Sequence, residues 1–249
     1  LHIRAHDPEE TIAQANIKHF VYRAHQLDKD EIIGRILQAE GRGRTIIFTR
    51  TKRGASRLVE ELTDRGFPAA AVHGDLSQDA RERAMVAFKE GKKDILIATD
   101  VAARGVDVDD VTHVINHTIP EDEKTYLHRV GRTGRAGKTG IAVTFVDWDD
   151  LHKWALINRA LEMGIDEPQE TYSSSEHLFT DLNIAPGTKG RLKSTPTPRP
   201  EKRAGNGPRR SGSNKSSGSR QQSSGSAERS SSGGQRTRQR RRRRSGEGQ

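Results

Sequence analysis

The sequence of 249 residues contains no cysteine and no apolar run long enough to cross a membrane. The absence of thiols excludes disulfide bridges and thiolate metal sites, so a reducing cytoplasm is the compartment we expect. A membrane-spanning helix needs about 20 consecutive apolar residues, and no signal segment is recognisable either. The chain opens at Leu1 and not at Met, which we interpret as the start of a fragment or a processed product. We expect no membrane partner.

Aromatic residues are scarce, at 4% of the chain, and none follows Phe179. Residues 189–249 contain 18 Lys and Arg against 3 Asp and Glu, a net charge of +15. Subtraction from the totals of 43 and 34 leaves 25 basic and 31 acidic residues in 1–188, a net charge of −6. Residues 193–249 are rich in Ser, Gly and Arg and contain too little apolar surface to offset the entropy of ordering. We predict a disordered basic tail there, which attracts phosphates or serves only as a solvated linker.

Short apolar runs alternate with helical patterns along most of the remaining chain. The predicted strands are 16–22, 45–48, 69–72, 94–98, 111–115 and 141–146, and the predicted helices are 28–39, 55–66, 77–91, 122–130 and 149–163. Nearly continuous apolar strands between helices indicate an α/β fold, with a parallel sheet covered by helices on both faces. We expect a lead-in over 1–15, a domain over 16–165 and an irregular connector over 166–192. Ligands of such sheets bind at loops beyond the carboxyl ends of the strands. The informative loops here are 49–53, 73–78, 99–108 and 128–139, most of which follow strands.

The run from His128 to Arg135, HRVGRTGR, concentrates cationic side chains and glycines in one turn-prone segment. Arg129, Arg132 and Arg135 are three residues apart at a predicted helix end, so their guanidinium groups could converge on one anion. Planar, permanently charged donors suit a phosphate on which charge accumulates during phosphoryl transfer. The plainer interpretation is a solvated basic turn.

Three further segments accompany this run in a characteristic order. Residues 94–108, DILIATDVAARGVDV, together with HRVGRTGR, resemble motifs V and VI of DEAD-box RNA helicases of superfamily 2. IIFTRTK at 46–52 resembles motif IV, and VHGDLSQDARER at 72–83 contains the Q-x-x-R signature. The resemblance covers roughly residues 16–150 and corresponds to the second of two RecA-like domains. The Walker A loop and the D-E-A-D box of such an enzyme would lie upstream of Leu1.

The resemblance implies roles at a nucleotide site. Arg132 and Arg135 match the arginine fingers that reach the γ-phosphate of ATP, and they are the expected catalytic residues. Asp107 matches the acid that accepts a hydrogen bond from the ATP ribose, and Gly105 lies beside it; a loop cap is the alternative for Asp107. ATP is the expected cofactor, with Mg²⁺ held by the missing amino-terminal domain and no metal ligand in this chain.

The resemblance also implies contacts to RNA and between domains. The expected RNA-backbone residues are Thr49, Gly74, Gln78, Arg81, Thr99 and Arg104. Asp100, His128 and Arg129 are expected to couple the sites across the domain boundary, Asp100 by orienting an arginine. Gln78 could instead cap a helix, His128 could be structural, and Arg129 could be a surface ion-pair partner.

The function so implied is the carboxy-terminal half of an ATP-dependent RNA helicase, which couples ATP hydrolysis to RNA binding and local duplex unwinding. Its partners would be RNA and the amino-terminal RecA-like domain, and the chain alone should hydrolyse essentially no ATP. One alternative is a non-enzymatic RNA-binding or scaffolding fragment that acts without ATP. Another is a DNA-translocating enzyme of superfamily 2.

Overall fold

The computed structural model of the chain describes residues 16–103, 108, 110–135 and 137–192. The strands are β1 (Ile17–Arg23), β2 (Arg44–Phe48), β3 (Ala69–Val72), β4 (Ile95–Ala98), β5 (Val111–Asn116), β6 (Gly140–Val146) and β7 (Gln169–Glu170). The helices are α1 (Lys29–Ile36), α2 (Lys52–Asp64), α3 (Gln78–Lys89), α4 (Asp100–Ala103), α5 (Glu123–Val130), α6 (Leu151–Leu161) and α7 (Glu176–Asp181). A 3₁₀ turn at Trp148–Asp150 precedes α6.

The described strands form one seven-stranded sheet in the order β3-β4-β2-β5-β6-β1-β7. Every pairing is parallel. Because parallel strands all point the same way, their carboxyl ends lie along one edge of the sheet and their amino ends along the opposite edge. We call these the carboxyl edge and the amino edge.

Alternating side chains of the central strands enter two different hydrophobic layers. In β4, Ile95 and Ile97 pack into a cluster with residues of α1, α2 and α7, whereas Leu96 and Ala98 pack into a cluster with Phe88 of α3. A third cluster places Tyr126 of α5 and residues of α6 against β1 and β6. Burial on both faces explains the nearly uniform apolar character of the strands. The predicted fold class, a RecA-like parallel sheet with helices on both faces, is confirmed.

The segment 166–192, for which the sequence predicts an irregular connector, is irregular only in part. It contributes β7, the outermost strand, which pairs with β1. It also buries three apolar side chains of α7 and the residues after it in the core, namely Leu178, Leu182 and Ile184. The predicted tail at 193–249 and the lead-in at 1–15 lie outside the described residues. Within the described part of the chain, no helix is both long and apolar enough to cross a membrane.

Candidate functional site

A groove of about 680 Å³ lies at the carboxyl edge, between the loops that follow β2, β3 and β4. It is lined by Arg50, Thr51, Lys52, Arg53, Gly74, Asp75, Arg81, Thr99, Val101 and Ala102. Four cationic side chains therefore face one carboxylate, a lining charge of +3. Of the residues predicted to contact RNA, the structure brings together Gly74, Arg81 and Thr99 in this groove.

Local capping fixes the wall of the groove that follows β2. The hydroxyl Oγ1 of Thr51 accepts a hydrogen bond from the backbone N–H of Gly54 at 3.0 Å and so begins α2. Lys52 and Arg53 consequently occupy the first helical turn and project at the groove. Thr49, just before this cap, is buried, and its Oγ1 donates to the carbonyl of Thr51 at 3.2 Å. Thr49 therefore supports the wall from beneath.

The Q-x-x-R segment contributes one residue to the groove and leaves the other outside it. Nη2 of Arg81 donates to the carbonyl of Ala102 at 3.0 Å and thereby ties α3 to α4. The amide of Gln78 donates to Oε1 of Glu82 at 2.7 Å on the exposed side of α3. The cap of α3 is Ser77, whose Oγ accepts from the N–H of Ala80, so Gln78 does not cap it.

Arg129 lies on α5 but is turned into the protein. Its Nε and Nη2 donate to the two carboxylate oxygens of Asp100 at 2.6 and 2.8 Å. Nη1 donates to Oδ1 of Asn116 and to the carbonyl of Thr118, and the guanidinium lies 5.2 Å from the ring centroid of Phe48. With 3% of its surface exposed, Arg129 is committed to these partners.

The expectation that Arg129, Arg132 and Arg135 converge on one anion is therefore wrong for Arg129. The physical reason is the end of α5 at Val130, because helical spacing no longer relates residues beyond that point. The alternative of a surface ion-pair partner is wrong as well, since Arg129 is buried.

Arg132 and Arg135 lie in the loop that joins α5 to β6, at the amino edge. Oγ1 of Thr133 anchors this loop by donating to the carbonyl of Val111, at the first residue of β5, over 2.5 Å. Gly134 has φ +69°, a left-handed conformation that favours glycine. Nε of Arg135 donates to the carbonyl of Gly131 at 3.0 Å, and the loop is half-buried at both arginines. These two predicted fingers are thus on the opposite edge of the sheet from the groove.

Beyond the fingers, the loop is held by a charge pair. Nζ of Lys138 donates to Oδ1 of Asp110, a residue with φ +65° that also approaches Arg44. His128 is exposed on α5, one turn before the loop. The predicted site residues Arg104, Gly105 and Asp107 lie outside the described residues.

Comparison with known proteins agrees with this arrangement. Residues 28–137 match the family described as the helicase conserved C-terminal domain. An ATP-dependent RNA helicase CshA of Listeria monocytogenes is 48% identical over 169 residues, which cover 68% of this chain and 32% of that protein.

Solved structures give the same result. The DEAD-box protein SrmB of E. coli, crystallised with the regulator of ribonuclease activity A, is 32% identical with a TM-score of 0.57, over 65% of this chain and 92% of that one. S. cerevisiae Dbp5, bound to RNA and ADP BeF3, is 32% identical with a TM-score of 0.57, over 64% and 42%. The chain belongs to the DEAD-box helicase family. It spans about a third of the length of the curated relatives it matches.

In this DEAD-box domain three cations of the groove, Arg50, Lys52 and Arg53, are not among the residues that the sequence predicts to contact RNA. A signal was present, because RTKR at 50–53 places three cations directly after an apolar strand. The anchors of Arg129 are Oδ1 of Asn116, at the end of β5, and the carbonyl of Thr118, two residues further on. Neither had such a signal, since a lone amide side chain or a backbone carbonyl does not indicate its partner in the sequence.

The chemistry of the two edges of this DEAD-box domain differs. The carboxyl edge offers exposed cations, a hydroxyl and an open glycine, a set suited to a sugar–phosphate backbone. The amino edge offers two guanidinium groups on an anchored loop, a set that fits a phosphate. Within the described residues, no group of three or more His, Asp or Glu could hold a metal ion.

Proposed function

We propose that this chain is the RNA-binding and nucleotide-sensing half of an ATP-dependent RNA helicase. The observation that carries the proposal is the groove at the carboxyl edge, with four cations against one carboxylate. Its curated relatives are named ATP-dependent RNA helicases, and its structural relative Dbp5 has been solved with RNA and ADP BeF3.

RNA binds in this proposal through its backbone. Lys52, Arg53 and Arg81 neutralise phosphates, Thr99 offers a hydroxyl, and Gly74 leaves room for close approach. Gln78, on the exposed side of α3, and the buried Thr49 support these contacts from outside the groove lining, and Arg104 is assigned a further contact to the RNA backbone. Contacts of this kind fix position without reading sequence, and a contact to the 2′-hydroxyl favours RNA over DNA.

Nucleotide is sensed at the amino edge. Arg132 and Arg135 act as arginine fingers toward the γ-phosphate of an ATP molecule that another RecA-like domain holds together with Mg²⁺. Asp107, with Gly105, contacts the ribose of the same nucleotide. Closure of two domains then completes the site, and strand separation follows from the bending of one RNA strand on closure.

A chain of contacts joins the two edges. Arg81 in the groove bonds to α4 at Ala102, Asp100 begins α4, and Asp100 holds Arg129 on the helix that leads into the finger loop. His128 is the adjacent exposed position on that helix. We assign Asp100, His128 and Arg129 to coupling between RNA occupancy and the position of the fingers.

An ATPase assay tests the proposal in the protein that carries this chain after an upstream RecA-like domain. Arg135→Ala should lower RNA-stimulated ATP turnover by roughly 10³-fold or more, because an arginine finger is worth about 10³–10⁵ in rate. RNA affinity should change little, and Arg83→Ala, on the exposed side of α3, should leave both unchanged. Retained turnover would refute the finger assignment.

RNA binding without any ATP turnover in the parent protein would favour the non-enzymatic scaffold, and stimulation of ATP turnover by DNA alone would favour a DNA translocase.

A further inference from the structure

The groove ends, on its β5 side, at a four-residue cluster of alternating charge: Arg50, Glu121, Asp150 and Lys153. Nη2 of Arg50 donates to Oδ2 of Asp150 at 3.1 Å, and its Nε lies 3.5 Å from Oε1 of Glu121. Arg50 also lines the groove, and 46% of its side chain is exposed. The same guanidinium therefore stands between two carboxylates and the proposed RNA path.

The ion pairs of Arg50 are weak compared with those of Arg129. Arg129 is buried and makes two short hydrogen bonds to one carboxylate, a geometry that is stronger than a single exposed contact. Arg50 has one hydrogen bond to Asp150 and a looser contact to a carboxylate whose side chain is 64% exposed. The contact to Glu121 is exposed and contributes little to stability. The Asp150 side chain is only 14% exposed, and a phosphate can take Arg50 from it because Lys153 remains on that carboxylate.

Lys153 keeps the carboxylates partnered when Arg50 leaves. Its Nζ lies 3.1 Å from Oε2 of Glu121 and 3.3 Å from Oδ1 of Asp150. Burial raises the pKa of the Asp150 carboxyl, but Lys153 and Arg50 outweigh it and hold that pKa below its ordinary value. Departure of Arg50 therefore leaves no unpaired buried charge, and the exchange carries little cost.

Only the side chain of Arg50 has to move. Thr49 before it and Thr51 after it are fixed, the first by its N–H bond to the carbonyl of Ala98 and the second as the cap of α2. A long side chain on a fixed backbone can change partners by rotation of its own torsions.

We propose that Arg50 is a further RNA-backbone contact that Asp150 and Glu121 hold as a latch in the free domain, and that RNA phosphate competes with these carboxylates for its guanidinium. This inference rests on the proposed function, because it takes the groove to be the RNA site. The latch limits the affinity of the groove for RNA and the number of phosphates that the groove binds. When Arg50 is released, its guanidinium can bind one more phosphate at the end of the groove next to β5.

A double-mutant cycle in the full chain tests the latch, with a fluorescent single-stranded RNA as probe and anisotropy as readout over a range of salt concentrations. E121Q/D150N should raise RNA affinity about two- to fivefold, the equivalent of one exposed ion pair. It should also steepen the slope of log K against log salt by about 0.7, the value for one more phosphate neutralised on a single strand. In the R50Q background the same pair of substitutions should produce neither change.

The charge-matched control is E123Q/D149N, which removes two carboxylates that flank the cluster. If the substitutions act only by reducing repulsion between carboxylates and RNA, E121Q/D150N and E123Q/D149N should raise affinity equally, and they should do so in the R50Q background as well. That result would overturn the latch. D150N should not weaken α6, because Asp150 makes no side-chain capping bond there. Since all variants share residues 193–249, the contribution of that segment cancels in the ratios. If the unmodified chain binds no RNA, the proposed function itself fails, whereas normal binding with a flat cycle overturns only the latch.

Discussion

Arg129 and Asp100 form a two-point ion pair, at 2.6 and 2.8 Å, that joins α5 to α4 across the carboxyl ends of the central strands. The pair links a residue next to the groove with the helix that carries the finger loop. Arg129 is buried, whereas the Asp100 side chain retains 37% exposure. The arginine is therefore the partner whose loss the fold tolerates least.

Substitution of Arg129 should destabilise the domain far more than substitution of its neighbour in the same motif. We expect Arg129→Ala to lower the free energy of unfolding by about 3 kcal/mol, the lower end for a broken buried ion pair. Arg132→Ala, in the half-buried loop, should cost no more than about 1 kcal/mol. Urea unfolding of the two variants measures this difference. Equal losses would contradict the structural role assigned to Arg129.

The sequence predicts the parallel sheet and three residues of the groove, Gly74, Arg81 and Thr99, but not the cations Arg50, Lys52 and Arg53. Strands such as β4 are apolar throughout, and Ser77 and Gly91 bracket α3, so periodicity and capping located the elements within a few residues. The sequence does not predict that Arg132 and Arg135 lie at the opposite edge of the sheet from the groove. Of the four loops that the sequence marks as informative, 128–139 is the one that precedes a strand, β6, and it therefore lies at the amino edge. The edge at which a loop lies depends on the direction of the strands in the whole sheet, which the sequence of the loop does not contain. The sequence also does not predict α7, because six residues are too few to show a helical period.

Gly74 and Gly140 differ in what surrounds them, and the difference predicts opposite outcomes for the same substitution. A Cβ at Gly74 would lie 3.4 Å from Cε of Lys52, an ordinary approach to the flexible end of a side chain. Gly74→Ala should therefore change the free energy of unfolding by no more than about 0.5 kcal/mol. It should nevertheless weaken RNA binding, because the added methyl group projects into the groove.

The matched substitution is Gly140→Ala, where a Cβ would lie 2.5 Å from Oγ1 of Thr133 and 2.7 Å from the backbone N of Gly134. Overpacking of this kind costs about 1–3 kcal/mol. We expect lowered stability and unchanged intrinsic RNA affinity, because the overpacked site is at the opposite edge from the groove. Thermal unfolding and RNA anisotropy on both variants separate the two effects. A destabilised Gly74→Ala with normal RNA binding would reverse the assignment.

Buried histidines make the fold sensitive to mild acid. Burial, aided by Arg42, lowers the pKa of His113 to about 4, against 6.5 in an unfolded chain. Between pH 6.5 and 4 the unfolded state therefore binds more protons, so stability is complete above that window and falls as the pH decreases through it. The loss attributable to His113 should reach about 3 kcal/mol at its lower limit.

Equilibrium unfolding in urea at a series of pH values measures this dependence. His113→Gln should flatten the profile between pH 6.5 and 4, while His152→Gln, at an exposed position of α6, should follow the unmodified chain. Burial lowers the pKa of His19 to about 4 as well, so part of the slope should remain in the His113 variant. A profile unaffected by His113→Gln would show that this histidine is not the titrating group.

The basic segment 193–249 should contribute affinity for RNA without contributing specificity. Its 16 Lys and Arg against 3 acidic residues give a charge of +13, with no aromatic residue for base stacking. Truncation after Leu192 should lower RNA affinity and flatten its salt dependence, by about 0.7 in slope for each phosphate that the segment neutralises. Replacement of Arg240–Arg244 by glutamine in the full-length chain is the matched variant, because it removes charge at constant length. Anisotropy titrations from low to physiological salt measure both quantities, and an unchanged affinity at low salt would contradict the prediction.

If the glutamine variant matches the truncation, the arginine run accounts for the contribution of the segment. If it matches the unmodified chain, the contribution comes from the cations dispersed along 193–238.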